Sequence, residues 1–103
     1  MALLMISPDQ LKTLLHSEAK PLLLDVRELD ELTGPLGSID NIIHIPLGRL
    51  AGRVRELKRA QNPDIVIICR SGARAMSAAR IVFDAGFKKV SVLEGGMVAW
   101  NAA

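Results

Sequence analysis

The chain holds one cysteine, Cys69, and it opens the run Cys69-Arg70-Ser71-Gly72-Ala73-Arg74. Two arginines and a glycine follow the sulfur within five residues, directly ahead of the alanine-rich stretch Ala75-Met76-Ser77-Ala78-Ala79-Arg80. The apolar run Ile65–Ile68 precedes it. Strand, tight loop and helix in that order aim backbone N–H groups and the positive end of a helix dipole at one point. A thiol held there ionises more readily than a free one and can attack, or hold, an anion. The loop residues Arg70, Ser71, Gly72, Ala73 and Arg74 are therefore candidate anion contacts. Gly72 frees the backbone to turn its N–H groups inward, and Ser71 can add a hydroxyl donor. A lone cysteine is commonly an inert core residue, but the arginines and glycine crowded ahead of a helix point to a functional one.

Other polar residues supply fewer roles. Arg74 lies in the first helical turn, where a cation is disfavoured, so it calls for a carboxylate. Asp25 is the expected partner, in a structural pair that holds the loop, with direct substrate contact as the alternative. Arg70 is free of that constraint and is the better candidate for attracting an anion. Arg27 is expected on the rim. His44, inside an apolar strand, reads as a hydrogen-bonded core or edge residue, and His16 as a solvated residue near a helix end. Trp100 reads as packing that closes the Glu94-Gly95-Gly96 loop, with a site-lining role as the alternative. Met5, Met76 and Met97 read as core filler.

The elements that must place these groups follow from local signals. Met1–Ile6 reads as a first strand. Ser7-Pro8-Asp9-Gln10 is a helix start with a capping box, Pro at the first position, and Ile6 and Leu11 spaced as a hydrophobic staple. Leu11, Leu14 and Leu15 form that helix's apolar face, and it should end near Ser17. Leu22–Val26 reads as a buried strand. Arg27–Asp40 is mostly loop, with a helical turn at Glu28–Leu32. Ile42–Ile45 is a third strand, stopped by Pro46. Leu47, Leu50, Val54 and Leu57 share one face of a helix. Its other positions are basic, Arg49 through Arg59, a solvated face that could dock an acidic partner. Asn62-Pro63-Asp64 turns the chain into the Ile65–Ile68 strand. Gly86 and Phe87 read as a Schellman stop, with Phe87 folding back on Val82. Val90–Leu93 is the last strand, and Met97–Trp100 begins a final helical turn. Strands that alternate with helices and are apolar on both faces predict an α/β fold, a small parallel sheet flanked by helices on both faces. Ligands bind beyond the carboxyl ends of such strands, where Cys69 and Asp25 stand.

Composition narrows the function classes. The chain has 103 residues and a formal net charge of +2, half of it apolar. That fits one domain over residues 1–103 and argues for no nucleic-acid partner. A single cysteine excludes an internal disulfide and a cysteine-rich zinc site. A reducing, cytoplasmic setting is the expectation. The apolar start is too short for a signal-peptide core or a membrane span, so no membrane partner is expected.

Several segments together resemble the single-domain rhodaneses. They are Asp25-Val26-Arg27-Glu28, Gly37-Ser38-Ile39 through Ile45-Pro46-Leu47, the loop Cys69 to Ala75, Ala85-Gly86-Phe87, and Leu93-Glu94-Gly95-Gly96 through Trp100. The resemblance covers nearly the whole chain in order. It implies a rhodanese-like fold and a thiosulfate sulfurtransferase that needs no metal or organic cofactor. Cys69 would take the outer sulfur of a small anionic donor as a persulfide. It would then pass that sulfur to a thiol or cyanide, or to a protein acceptor. The family commonly has histidine, proline and glycine where Ser38, Asp40 and Asn41 stand, which predicts an altered loop shape there. Members also usually continue past Trp100, so the chain reads as a compact member or a piece of a longer protein. A persulfide carrier or interaction module without turnover shares the same residues and stays open. A cysteine phosphatase or arsenate reductase is less favoured. Their loop places arginine after five intervening residues, and here four separate Cys69 from Arg74, with Ala75 at the required position.

Overall fold

The computed structural model describes residues 3–57 and 64–103. Five strands form one sheet: β1 (Leu4–Ile6), β2 (Leu22–Asp25), β3 (Ile43–His44), β4 (Ile65–Ile68) and β5 (Val90–Leu93). Every pairing is parallel, in the order β1-β5-β4-β2-β3. Cys69 therefore leaves the central strand at its carboxyl end, and Asp25 is level with Ile68 on the neighbouring one.

The continuous apolar runs are explained by burial on both faces, because successive strand residues point to opposite sides. Leu24, Ile65, Ile67, Val90 and Val92 join one core layer with α3 (Leu47–Arg53) and α4 (Ala73–Asp84). Leu23, Val66, Ile68 and Leu93 join the other with α1 (Pro8–Leu15) and α5 (Gly96–Ala102). Ala75, Ala78 and Ala79 are fully buried, so α4 lies close on the sheet as its small residues require. α2 (Leu29–Leu32) is a short helix within the long β2–β3 connection.

Local signals set most boundaries. Ser7 Oγ accepts from the Gln10 N–H at 3.1 Å, while the Ser7 N–H donates to Gln10 Oε1 at 2.9 Å. Ile6 packs in the same cluster as Leu11. α1 ends at Leu15, with His16 as its cap. α4 ends in the expected Schellman stop. The Gly86 N–H donates to the Phe83 carbonyl at 2.9 Å and the Phe87 N–H to that of Val82 at 3.4 Å, with Gly86 at φ +106°.

Some expectations are corrected. β3 has two residues rather than four. The helix expected over 47–57 is α-helical only to Arg53 and tightens to 3-10 over Val54–Leu57, where Arg53 and Glu56 pair at i,i+3. Lys58, Arg59, Asn62 and Pro63 lie outside the described residues, as do Met1 and Ala2. Met97 is buried, but Met5 and Met76 are 46% and 43% exposed and fill no core. Met5 lies on edge strand β1, and Met76 on the outer side of α4's first turn. Asn41 takes φ +63°, the left-handed conformation that asparagine tolerates better than most residues. A glycine would meet the same backbone need at that position.

Candidate active site

The Cys69 loop is built at the junction of β4, α4 and α5. Cys69 follows the last residue of β4, and α4 begins at Ala73. Gly72 caps α4 at φ +117°, a conformation other residues rarely adopt, and this lets the chain turn into α4 while the Gly72 N–H faces the sulfur. The Gly72 N–H donates to Cys69 Sγ at 2.9 Å. The loop's carbonyls are taken from the other side by α5. The Met97 N–H donates to the Cys69 carbonyl at 2.9 Å, and the Val98 N–H to that of Arg70 at 3.0 Å. Gly96 permits this approach, because a Cβ there would lie 2.5 Å from both carbonyl oxygens.

Cys69 is only 1% exposed. Its sulfur lies at the floor of the loop rather than at an open mouth. Arg70 and Ser71 are exposed above it. Among the described residues the Ser71 hydroxyl forms no hydrogen bond, so it is no donor to the sulfur. The Arg70 side chain also forms none and faces solvent.

Arg74 has a carboxylate partner, but it is Glu31 and not Asp25. Its Nη1 and Nη2 donate to Glu31 Oε2 and Oε1 at 2.7 and 2.8 Å. Oε2 also accepts from the Glu28 N–H at 2.7 Å. The bidentate Arg74 guanidinium is the main reason the Glu31 carboxyl is lowered to about 2, and Glu31 in turn raises Arg74. Asp25 is already saturated. Arg27 Nε donates to both its oxygens at 3.0 and 3.1 Å, Arg27 Nη2 to Oδ2 at 2.8 Å, and the Arg27 N–H to Oδ1 at 3.0 Å. Residues two apart leave an extended segment on the same side, so Arg27 reaches Asp25 before any residue of α4 can. Arg27 is thus 1% exposed and not on the rim.

Two further Arg27 hydrogens, one on Nη1 and one on Nη2, go to the Glu31 and Gly37 carbonyls at 3.3 and 2.8 Å. His44 Nε2–H donates to the Arg27 carbonyl at 2.6 Å, since a carbonyl can only accept. His44 is therefore the hydrogen-bonded edge histidine that its strand suggested. Asp25, Arg27, Glu31 and Arg74 form one connected set from β2 through α2 to the first turn of α4. Glu31 had no assigned role in the sequence reading. The signal was available: an acidic residue in the turn right after Asp-Val-Arg, facing a loop whose arginine needed a carboxylate.

Trp100 is half-buried against the α1–α5 core layer, with Lys12 Nζ 5.0 Å from its ring centre, and does not line the Cys69 loop. A groove of about 640 Å³ beside it is lined by Lys12, Pro21, Leu23 and Ile39 among others. Pro21 stands just ahead of β2, so that groove lies toward the end of the sheet away from Cys69.

The family model described as "Rhodanese-like domain" matches residues 7–103. This chain belongs to the rhodanese-like family. It is 40% identical over 96 residues to "Putative sulfur carrier protein YrkF" of Bacillus subtilis (strain 168), covering 93% of this chain and 50% of that protein. The chain thus spans about half the length of that relative. It is 36% identical over 96 residues to "Putative sulfurtransferase YtwF" of the same organism, covering 93% and 88% of the two chains. A solved structure of a rhodanese-related protein from Thermoplasma volcanium superposes with a TM-score of 0.79 at 29% identity, covering 96% and 91%. Relatives of sulfurtransferase type support a transferase for this rhodanese-like domain. None of its described helices is long and apolar enough to cross a membrane.

Proposed function

We propose that the domain is a cytoplasmic sulfurtransferase that moves a sulfane sulfur from thiosulfate, or from a persulfide donor, to a thiol or cyanide through a persulfide on Cys69. The observation that carries the reading is the Gly72 N–H aimed at Cys69 Sγ, at the amino end of α4 and beside exposed Arg70. In the first step the Cys69 thiolate attacks the outer sulfur of thiosulfate. The donor's S–S bond breaks and sulfite leaves with the electron pair. Arg70 draws in the anionic donor, and the loop amides stabilise the charge left on the terminal persulfide sulfur. In the second step an acceptor takes that sulfur, and Cys69 leaves as the thiolate. Electrons balance without a resident cofactor. Arg74 acts through Glu31 as a brace for the loop, and the Asp25–Arg27 pair supports the brace.

Intact-mass measurement with peptide mapping tests the proposal. Excess thiosulfate should add one sulfur atom at Cys69, cyanide should remove it, and Cys69→Ser should gain nothing. An unchanged mass with the wild-type chain would overturn it. The likeness to a relative named as a sulfur carrier favours a second reading, in which the domain carries sulfur without free turnover. Slow cyanide turnover with efficient transfer to a protein acceptor would select that reading.

A further inference from the structure

The charged side chains around the Cys69 loop divide into two groups. Asp25, Arg27, Glu31 and Arg74 pair with one another. Asp30 and Arg70 do not: among the described residues neither side chain has a hydrogen-bond or ion-pair partner. Both nevertheless line the same open groove, of about 460 Å³, which runs from the loop along α2 to Pro35 and Leu36. The groove's other charged residues, Arg27 and Glu31, are already committed. It therefore presents one free cation next to the reactive cysteine, one free carboxylate, and an apolar wall.

We propose that this groove selects the acceptor of the second half-reaction, a thiol that carries both an ammonium group and a carboxylate, as amino-acid and short-peptide thiols do. Asp30 takes the ammonium, Arg70 the carboxylate, and Pro35 and Leu36 meet the carbon skeleton that carries them. The inference rests on the sulfur-transfer reading above and names the substrate class of its second step. In that step the acceptor's thiolate attacks the outer sulfur of the Cys69 persulfide. A new S–S bond forms on the acceptor, the Cys69–sulfur bond breaks, and Cys69 keeps the electron pair. The proton that the acceptor thiol gives up passes to the transferred sulfur, which was charged in the Cys69 persulfide, and no outside oxidant or reductant is required. Asp30 touches only the acceptor's ammonium, so it is a specificity determinant and takes no part in bond making.

The test uses the full chain, loaded with thiosulfate and verified by intact mass. Single-turnover discharge is then followed with L-cysteine, cysteamine, 3-mercaptopropionate and 2-mercaptoethanol. Each variant's rate is divided by the wild-type rate for the same thiol, which cancels differences in thiol reactivity. The ratios are then referred to that for 2-mercaptoethanol. Asp30→Asn should lower the ratio for cysteine and cysteamine by roughly two- to five-fold, the size expected of a partly solvated ion pair. Asp30→Lys should lower cysteamine further and raise 3-mercaptopropionate. Arg70→Gln should lower cysteine and 3-mercaptopropionate but not cysteamine. All three effects should shrink at high salt. Equal ratios across the thiols for Asp30→Asn and Asp30→Lys, in a chain that loads normally, would overturn the inference alone. A chain that takes no sulfur from thiosulfate would overturn the transferase reading, and this inference with it.

Discussion

Arg70 and Arg74 stand four residues apart in one loop and do different work. Arg74 is spent on Glu31, while Arg70 is exposed and unpartnered among the described residues. Arg70→Ala should therefore lower kcat/KM for thiosulfate by about tenfold or more, as loss of a charge-assisted contact would. Its melting temperature should barely move. A matching drop in melting temperature would make Arg70 structural. Glu31 carries the opposite signature. Its carboxyl is lowered from 4.5 to about 2 in the folded state. The unfolded chain therefore binds the proton first as pH falls, and the pair's stabilisation is complete above about pH 5. It is lost between 4.5 and about 2. Glu31→Gln should melt below wild type at neutral pH, and the gap should close across that acid window. A gap that stays constant from pH 7 to 2.5 would show that the pair adds no stability. The need of Arg74 for a carboxylate was legible in the sequence, from the helix dipole alone. Which carboxylate answers it was not, because Asp25 and Glu31 both lie far from Arg74 along the chain.

The loop belongs to no single element. β4 delivers Cys69, α4 supplies the Gly72 N–H, and α5 ties down the carbonyls of Cys69 and Arg70. That last contact predicts an effect at a glycine distant in sequence. Gly96→Ala places a Cβ against both carbonyls at φ +58°. It should cost about 1–3 kcal/mol through backbone strain, and it should slow persulfide formation by displacing the loop. Gly48→Ala is the control. It lies in α3 with open space around it and should be neutral or stabilising by up to about 1 kcal/mol. Urea midpoints and single-turnover loading rates decide; a Gly96→Ala chain that loads at the wild-type rate would remove α5 from the site. The helix starts and stops here were legible, because capping boxes and Schellman stops are written within a few adjacent residues. The docking of α5 under the loop was not, since it depends on strand order.

Across the whole molecule, the two core layers share β4, whose residues alternate between them. Neither layer should unfold alone. Trp100, the chain's one tryptophan, sits on the α1–α5 layer, while Ile67 belongs to the α3–α4 layer. Ile67→Ala should cost about 2–5 kcal/mol. It should shift the Trp100 fluorescence midpoint as far as the helical circular-dichroism midpoint. Separate midpoints would mean that the layers melt independently. The amino-acid order alone sufficed for most of the elements, the parallel sheet, and the place of Cys69 at a strand's carboxyl end. Each of those rests on contacts within one turn or on two-residue and helical periodicity. Chain folding in three dimensions had to settle the rest: that Arg27 seals Asp25, that Glu31 braces Arg74, and that Asp30 and Arg70 share a groove. Those pairings turn on which side chains converge at the sheet's carboxyl edge, a matter of distance in space that spacing along the chain does not encode.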